Sequence, residues 1–338
     1  MSIQSEIERI STNISTAYDA VNEKGGALPE KKNSANLATA IRGIISGGGG
    51  SQNMLINWYL ADPINQQGEN DYLISSASER YTIDGFASIS TSETSYVSVV
   101  PDGLKISKGG VLYQKCDEEF LNFILGKTVT LSILTSDGTL YSGSGVVDYD
   151  KLVANVYIPN VGSMALYLFK EAKSYQIFRL YADEGEITLV AAKLELGSVQ
   201  TLAHQAGDGS WALNDPPPDK ALELAKCQRY QLVLRTGAYG RIGLGMADYT
   251  PHIATAFIPL PVGLRIRPSF SYSGSFSLYD GSAQNKFAKI TDISFSELST
   301  NGITIGINTG SDNITIGRPY QLIDSGNGDA TIILDANL

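Results

Sequence analysis

Cysteine is nearly absent from this chain of 338 residues, which holds only Cys116 and Cys227. Two isolated thiols, assigned below to different domains, make neither a disulfide framework nor a zinc site. Histidine is as scarce, and His204 and His252 stand too far apart for a local metal motif. His204 falls at a module boundary and His252 follows Pro251, so loop or packing roles are expected of both. Charged residues make up 18% of the chain, below the usual share of about 25%. The net charge of −10 argues against a sequence-independent grip on nucleic acid, which needs a basic surface. No apolar run approaches the ~18 residues of a membrane span, so no membrane insertion is expected. The opening MSIQSEIERI lacks a basic region followed by an apolar one, and a chain made in the cytosol without a secretory leader is expected. G-x-S-x-G, H-E-x-x-H and P-loop motifs are missing as well. No catalytic residue, metal site or cofactor is expected, and the chain is read as a non-enzyme.

What fills the gap is Gly, Ser, Thr, Asn, Val, Ile and 18 tyrosines, the palette of strands and tight turns. The first residues are the exception. Ile3, Ile7, Ile10, Ile14, Ala17 and Val21 follow at steps of 4, 3, 4, 3 and 4, the seam of a coiled coil. Isoleucine at both core positions favours three or four strands over two. The alternative is a single amphipathic helix packed on its own domain. A stop at Gly25-Gly26 and a polar turn containing Pro29 follow. A second helix is then expected from Ser34 to about Ile45, capped by Asn33 or Ser34. Gly47 to Gly50 read as a linker.

From Asn53 the period changes from helical to alternating. Val129, Leu131 and Ile133 alternate with Thr128, Thr130 and Ser132, and Met164, Leu166 and Leu168 with Ala165, Tyr167 and Phe169. A short helix is expected at Asp117 to Leu125, with Glu118 and Glu119 on its solvated face. Strands without helices between them point to a sandwich or jelly roll. The expected fold is therefore mainly β, a helical coiled-coil segment followed by two β-sandwich or jelly-roll domains in a trimer. Its expected boundaries are 1–51 for the helical segment and 52–203 for the first β domain. A Pro-rich connector would take 204–220 and a distal β domain 221–338, with Trp58 and Trp211 pinning neighbouring domains together.

Four stretches carry a resemblance. NEKGGALPEKKNSANLATAIRGI is similar to the N-terminal attachment segment of tail and baseplate proteins in phages and phage-like particles of Gram-positive bacteria. NWYLADPINQQG followed by YTIDGF resembles the opening of the jelly-roll-like module of tail fibres and receptor-binding proteins. AAKLELGSVQTLAH resembles its closing strand, and LELAKCQRYQLVL the start of the distal domain. The resemblance covers residues 20–235 in the expected order and leaves residues 236–338 unmatched.

It implies a trimeric receptor-binding protein or short tail fibre of a phage or phage-like contractile particle (a bacteriocin). Its N-terminal helices would dock on baseplate proteins, and its distal domain would bind a glycan or protein of the bacterial surface. Such a particle assembles in the host cytoplasm and leaves by lysis. Two other readings stay open: a structural baseplate component without host contact, and a depolymerase of surface polysaccharide.

Sugar recognition uses aromatic faces against C–H surfaces with hydrogen-bonding groups around them. In the distal domain Tyr239, Arg241, Asp248, Tyr249, Tyr272, Tyr279 and Asp280 lie in or beside expected loops, with Tyr249 and Asp248 as the leading cluster. The glycines of GAYGRIGLG read as turns and close-packed backbone. DSGNGD, Asp324 to Asp329, offers oxygen ligands but lacks the full calcium-loop pattern and reads as a hairpin turn.

Overall fold

The computed structural model describes residues 3–23, 29–34, 36–37, 52–76, 78–281, 287–299, 302–311 and 313–336. The protein is mainly β and divides into two units, Met1–Asp219 and Lys220–Leu338.

Helix α1 spans Ile3–Glu23. Polar side chains reinforce it along one face, with Gln4 Nε2 donating to Glu8 Oε1 at 3.2 Å and Thr12 Oγ1 to the Glu8 carbonyl at 2.9 Å. Tyr18 and Val21 are buried together, flanked by Ile14 and Leu37. The Tyr18 hydroxyl donates to the Asn33 carbonyl at 2.7 Å, tying the helix to the following segment. Ile7 and Ile10 are 55% and 48% exposed by contrast, and the Ile3 side chain lies outside the described residues. Asn33 Oδ1 accepts the Asn36 N–H at 3.0 Å, the bond of a helix cap. Most of the expected second helix, the Gly25-Gly26 stop and the Gly47–Gly50 linker lie outside the described residues.

Two six-stranded antiparallel sheets build most of the rest of the first unit. One runs β1 (Asp71–Ser75), β4 (Thr94–Val100), β5 (Gly103–Ile106), β12 (Ile187–Leu196), β7 (Thr128–Thr135), β8 (Leu140–Val146). The other runs β2 (Arg80–Tyr81), β3 (Ala87–Ser90), β6 (Gly110–Lys115), β11 (Ser174–Ala182), β10 (Gly162–Phe169), β9 (Leu152–Ile158). Val129, Leu131 and Ile133 from the first sheet and Met164, Leu166 and Leu168 from the second share one core, as their alternation requires. β5 pairs with β12 in one sheet and β6 with β11 in the other, whereas β7–β8 and β9–β10 are hairpins, each kept within one sheet. Helix α2 (Glu118–Ile124) is capped by Asp117, whose carboxylate accepts the Phe120 N–H.

Asn53 Nδ2 donates to the Ala192 carbonyl at 2.8 Å, and the Ala192 N–H donates to the Trp58 carbonyl at 3.0 Å. The opening segment thus lies along the closing strand β12. Asn57, at φ 53°, donates to the carbonyls of Ile64 and Asp84 and joins both halves of the opening motif. Trp58 is buried in this core and Trp211 packs against it, so both tryptophans serve the interior of the first unit.

The stretch expected as an extended connector folds back instead. Strands β13 (Ala203–Gln205) and β14 (Trp211–Leu213) form a hairpin, because Asp208-Gly209 makes its turn and Asp208 Oδ1 accepts the Ser210 N–H at 2.9 Å. A buried charge cluster holds it. Lys193 Nζ donates to Thr201 Oγ1 at 2.9 Å and pairs with Asp215 Oδ2 at 3.1 Å, while Glu195 accepts the Thr201 N–H at 2.6 Å. Burial raises the Glu195 carboxyl above its ordinary range, against the bonds from Thr201.

The second unit opens with α3 (Lys220–Gln228). A three-stranded sheet orders β15 (Gln231–Arg235), β24 (Thr331–Asp335), β18 (Ser269–Ser273). A seven-stranded sheet orders β20 (Phe287–Lys289), β19 (Phe276–Tyr279), β23 (Pro319–Asp324), β16 (Arg241–Ala247), β17 (Ile253–Pro259), β22 (Gly302–Asn308), β21 (Asp292–Ser299). Ile303, Ile305 and Ile307 meet Leu232, Ile332 and Leu334 in one core. The run from Ser269 to Leu278 is cut at Gly274, whose φ of +82° sends its halves to different sheets. No strand forms at Asn313 to Ile316. GAYGRIGLG contributes an interior strand, β16, rather than turns alone. A Cβ on Gly245 would sit 2.9 Å from the Thr255 carbonyl, so the neighbouring strand fits only against glycine.

Candidate functional site

The seven-stranded sheet keeps Ile258, Ile303, Ile305 and Ile307 on the core side, and strand register fixes what the other side carries. Across that outward face Phe287 lies opposite Tyr279, Tyr279 opposite Gln321, Gln321 opposite Leu244, Leu244 opposite Phe257, and Phe257 opposite Thr304. Next to this row Met246 faces Thr255. Leu244, Met246 and Phe257 are 68%, 54% and 46% exposed. They rim an open depression of about 470 Å³ whose polar lining is Asp248, Thr255 and Thr304. Thr255 Oγ1 donates to Asp248 Oδ2 at 2.5 Å, which fixes that carboxylate at the edge of an otherwise apolar hollow. Aliphatic and aromatic surface around a few anchored hydrogen-bonding groups is the chemistry of a recognition face.

The residues singled out from the sequence divide among three environments. Asp248 lines the depression and Tyr249 beside it is strongly exposed. Tyr279 stacks on Phe287 with ring centres 5.1 Å apart, and Tyr239 reaches the same Phe287 ring at 6.0 Å. Arg241 Nε donates to Gln321 Oε1 at 2.6 Å, so it braces the row between Tyr279 and Leu244. Tyr272 is not with them. It sits on β18, where its hydroxyl donates to Asp292 Oδ1 at 3.0 Å and accepts the Ile293 N–H at 3.3 Å, a tie between the two sheets. Asp280 has its side chain almost fully covered and pairs with Arg318 at 3.5 Å, which suits support rather than contact with a ligand.

Leu244, Met246, Phe257, Thr255, Thr304 and Phe287 were not singled out from the sequence. Their signal was the alternation of Leu244 and Met246 with glycine, a strand pattern hidden by residues that usually mark turns.

Asp324 closes β23 and receives the N–H groups of Gly326, Gly328 and Ala330 at 2.7, 2.9 and 2.9 Å. Burial opposes its ionisation, but these amides and that of Tyr239 outweigh it and bring the carboxyl down to about 2. DSGNGD is therefore a backbone-filled turn whose first carboxylate is already satisfied. His204 Nδ1 lies 2.6 Å from Asn214 Oδ1, and the His252 carbonyl accepts the Thr309 N–H at 3.0 Å. Both are loop fastenings. Among the described residues no three His, Cys, Asp or Glu side chains are grouped to hold a metal.

No protein-family model matches the chain, and neither a curated protein nor a solved structure matches it.

Proposed function

We propose that this chain is a receptor-binding protein or short tail fibre that attaches a phage or phage-like tail to a bacterial surface. The observation that carries the reading is the outward face of the seven-stranded sheet, where Leu244, Met246 and Phe257 surround the anchored Asp248 carboxylate. The order of the four sequence stretches agrees with it. In this reading α1 joins three copies through the exposed Ile7 and Ile10 and docks on baseplate proteins. The first β unit is the shaft and the second is the head. Three linked heads gain orders of magnitude in avidity without any single tight site, so a shallow hollow suffices.

The test is binding of the fluorescently labelled full chain to several Gram-positive strains, with its mass measured in solution. A trimer that binds some strains, and whose Leu244→Ser/Phe257→Ser variant loses at least ten-fold in adhesion, is the expected result. A well-folded variant that adheres as the parent does would remove the head face from the reading. Failure to bind any strain would leave the structural baseplate role as the better account.

A further inference from the structure

The second sheet of the first unit also turns a face outward, and tyrosine dominates it. In register, Tyr113 on β6 lies opposite Arg179 on β11, and Arg179 lies opposite Ala165 on β10. The small Ala165 leaves the guanidinium room to lie between two rings, with its central carbon 5.9 Å from Tyr167 and 5.9 Å from Tyr181. The Arg179 guanidinium makes no hydrogen bond or ion pair among the described residues. The nearby carboxylate of Glu79 is already taken, by the Tyr113 hydroxyl at 2.5 Å and by Lys115 Nζ at 2.7 Å. Gln176, paired opposite Tyr167, keeps its Oε1 buried without a donor. A fork of N–H donors held between aromatic faces, with its own acidic neighbour neutralised, matches an anion carried on a ring that can stack.

We propose that this face is a second binding site, for a glycan bearing an acidic sugar, with Arg179 gripping the carboxylate and Tyr167 and Tyr181 receiving the faces of the sugar rings. Charge complementarity supports the choice. On a chain of net charge −10, an acidic ligand gains local attraction only where a cation stands without a carboxylate partner, and Arg179 is such a cation. Neutral sugars gain the stacking alone and bind more weakly. The role of this glycan as a cell-surface receptor rests on the adhesion reading, but the binding chemistry does not.

Saturation-transfer NMR on the full chain tests it, with trigalacturonate, neutral galactotriose and inorganic phosphate as probes. Trigalacturonate is expected to bind at least ten-fold tighter than galactotriose, with transfer strongest to its ring protons. Arg179→Gln should erase that preference and leave the weak neutral binding in place. Tyr167→Ala should weaken both sugars, and Leu244→Ser neither. Arg179→Lys, which keeps the charge, serves where the glutamine variant fails to fold and should lose part of the preference. Equal binding of the two sugars, binding of phosphate as tight as that of trigalacturonate, or indifference to both Arg179 variants would overturn the proposal. Cell adhesion without trigalacturonate binding would sink this site and leave the adhesion reading. Trigalacturonate binding without cell adhesion would do the reverse.

Discussion

The outward sheet faces of the two units differ in what they ask of a partner. In Met1–Asp219 the face carries half-buried Tyr167 and Tyr181 around Arg179, each with a polar end that water or a wet ligand can satisfy, over a buried Tyr113 whose hydroxyl is held by Glu79. In Lys220–Leu338 the face carries Leu244, Met246 and Phe257, whose exposed surface gains about 25 cal/mol for each Å² that becomes covered. The first suits a hydrated, charged ligand, and the second a drier contact. The interiors differ in a parallel way. The first unit buries a lysine with a glutamate, Lys193 and Glu195. The second satisfies its buried Asp324 with backbone amides alone.

Breaking the buried pair gives the largest expected effect. Lys193→Met leaves the fully buried Glu195 carboxylate without its cation and should cost the first unit roughly 3–5 kcal/mol in urea unfolding. The double variant Lys193→Met/Glu195→Leu should recover most of that loss. A cost below about 1 kcal/mol for the single variant would show that the cluster does not hold the β13–β14 hairpin.

Acid titration should next separate the units by sign. Burial pushes the Asp84 carboxyl up to about 6, against the bonds it accepts from Gln66. Its charged form is the disfavoured one, so its contribution is intact below about pH 4 and is lost as pH rises through 6, by up to ~3 kcal/mol. Asp324 runs the other way. Its stabilisation is present above about pH 4 and disappears as pH falls through 2. Hydrogen exchange at the Gln66 amide and at the Gly326–Ala330 amides, followed from pH 7 to pH 3, should show protection near Gln66 increasing while the other turn holds. Asp84→Asn should flatten the first profile.

The smallest expected effect on stability belongs to the exposed face of the seven-stranded sheet. Leu244→Ser and Phe257→Ser should each change unfolding free energy by only about 0.5 kcal/mol, although together they are expected to abolish most adhesion. A loss above ~2 kcal/mol would mean that these side chains belong to the core, and the contrast between the two faces would fail.

Much of the architecture could be read along the chain. α1, the Asn33 cap, the α2 helix after Asp117, and the inner faces of β7 and β10 all follow from spacing. Three things were hidden. β16 was masked by Gly243 and Gly245, which a strand interior usually avoids. The break at Gly274 was masked because one positive φ leaves the apolar pattern on both sides intact. The hairpin at 203–213 was masked by neighbouring prolines that imply extended chain. Of the candidate site, Asp248, Tyr249, Tyr239, Tyr279 and Arg241 came from residue type and position near turns. Tyr272 and Asp280 satisfied the same criteria and are structural ties. Residue type marks which groups can bind, but not which already have partners.

The sequence by itself determined the β content, the helical start and the two-residue alternation that gives strands such as β1 and β17 a buried side and another side. That follows because side-chain direction is a local property of the backbone. Tertiary structure alone decided what stands next to what on the other side. Arg179 meets Tyr113 and Ala165, and Leu244 meets Phe257 and Gln321, through register between strands distant in the chain. No local rule sets those pairings, since they are fixed by which core the whole set of strands can fill together.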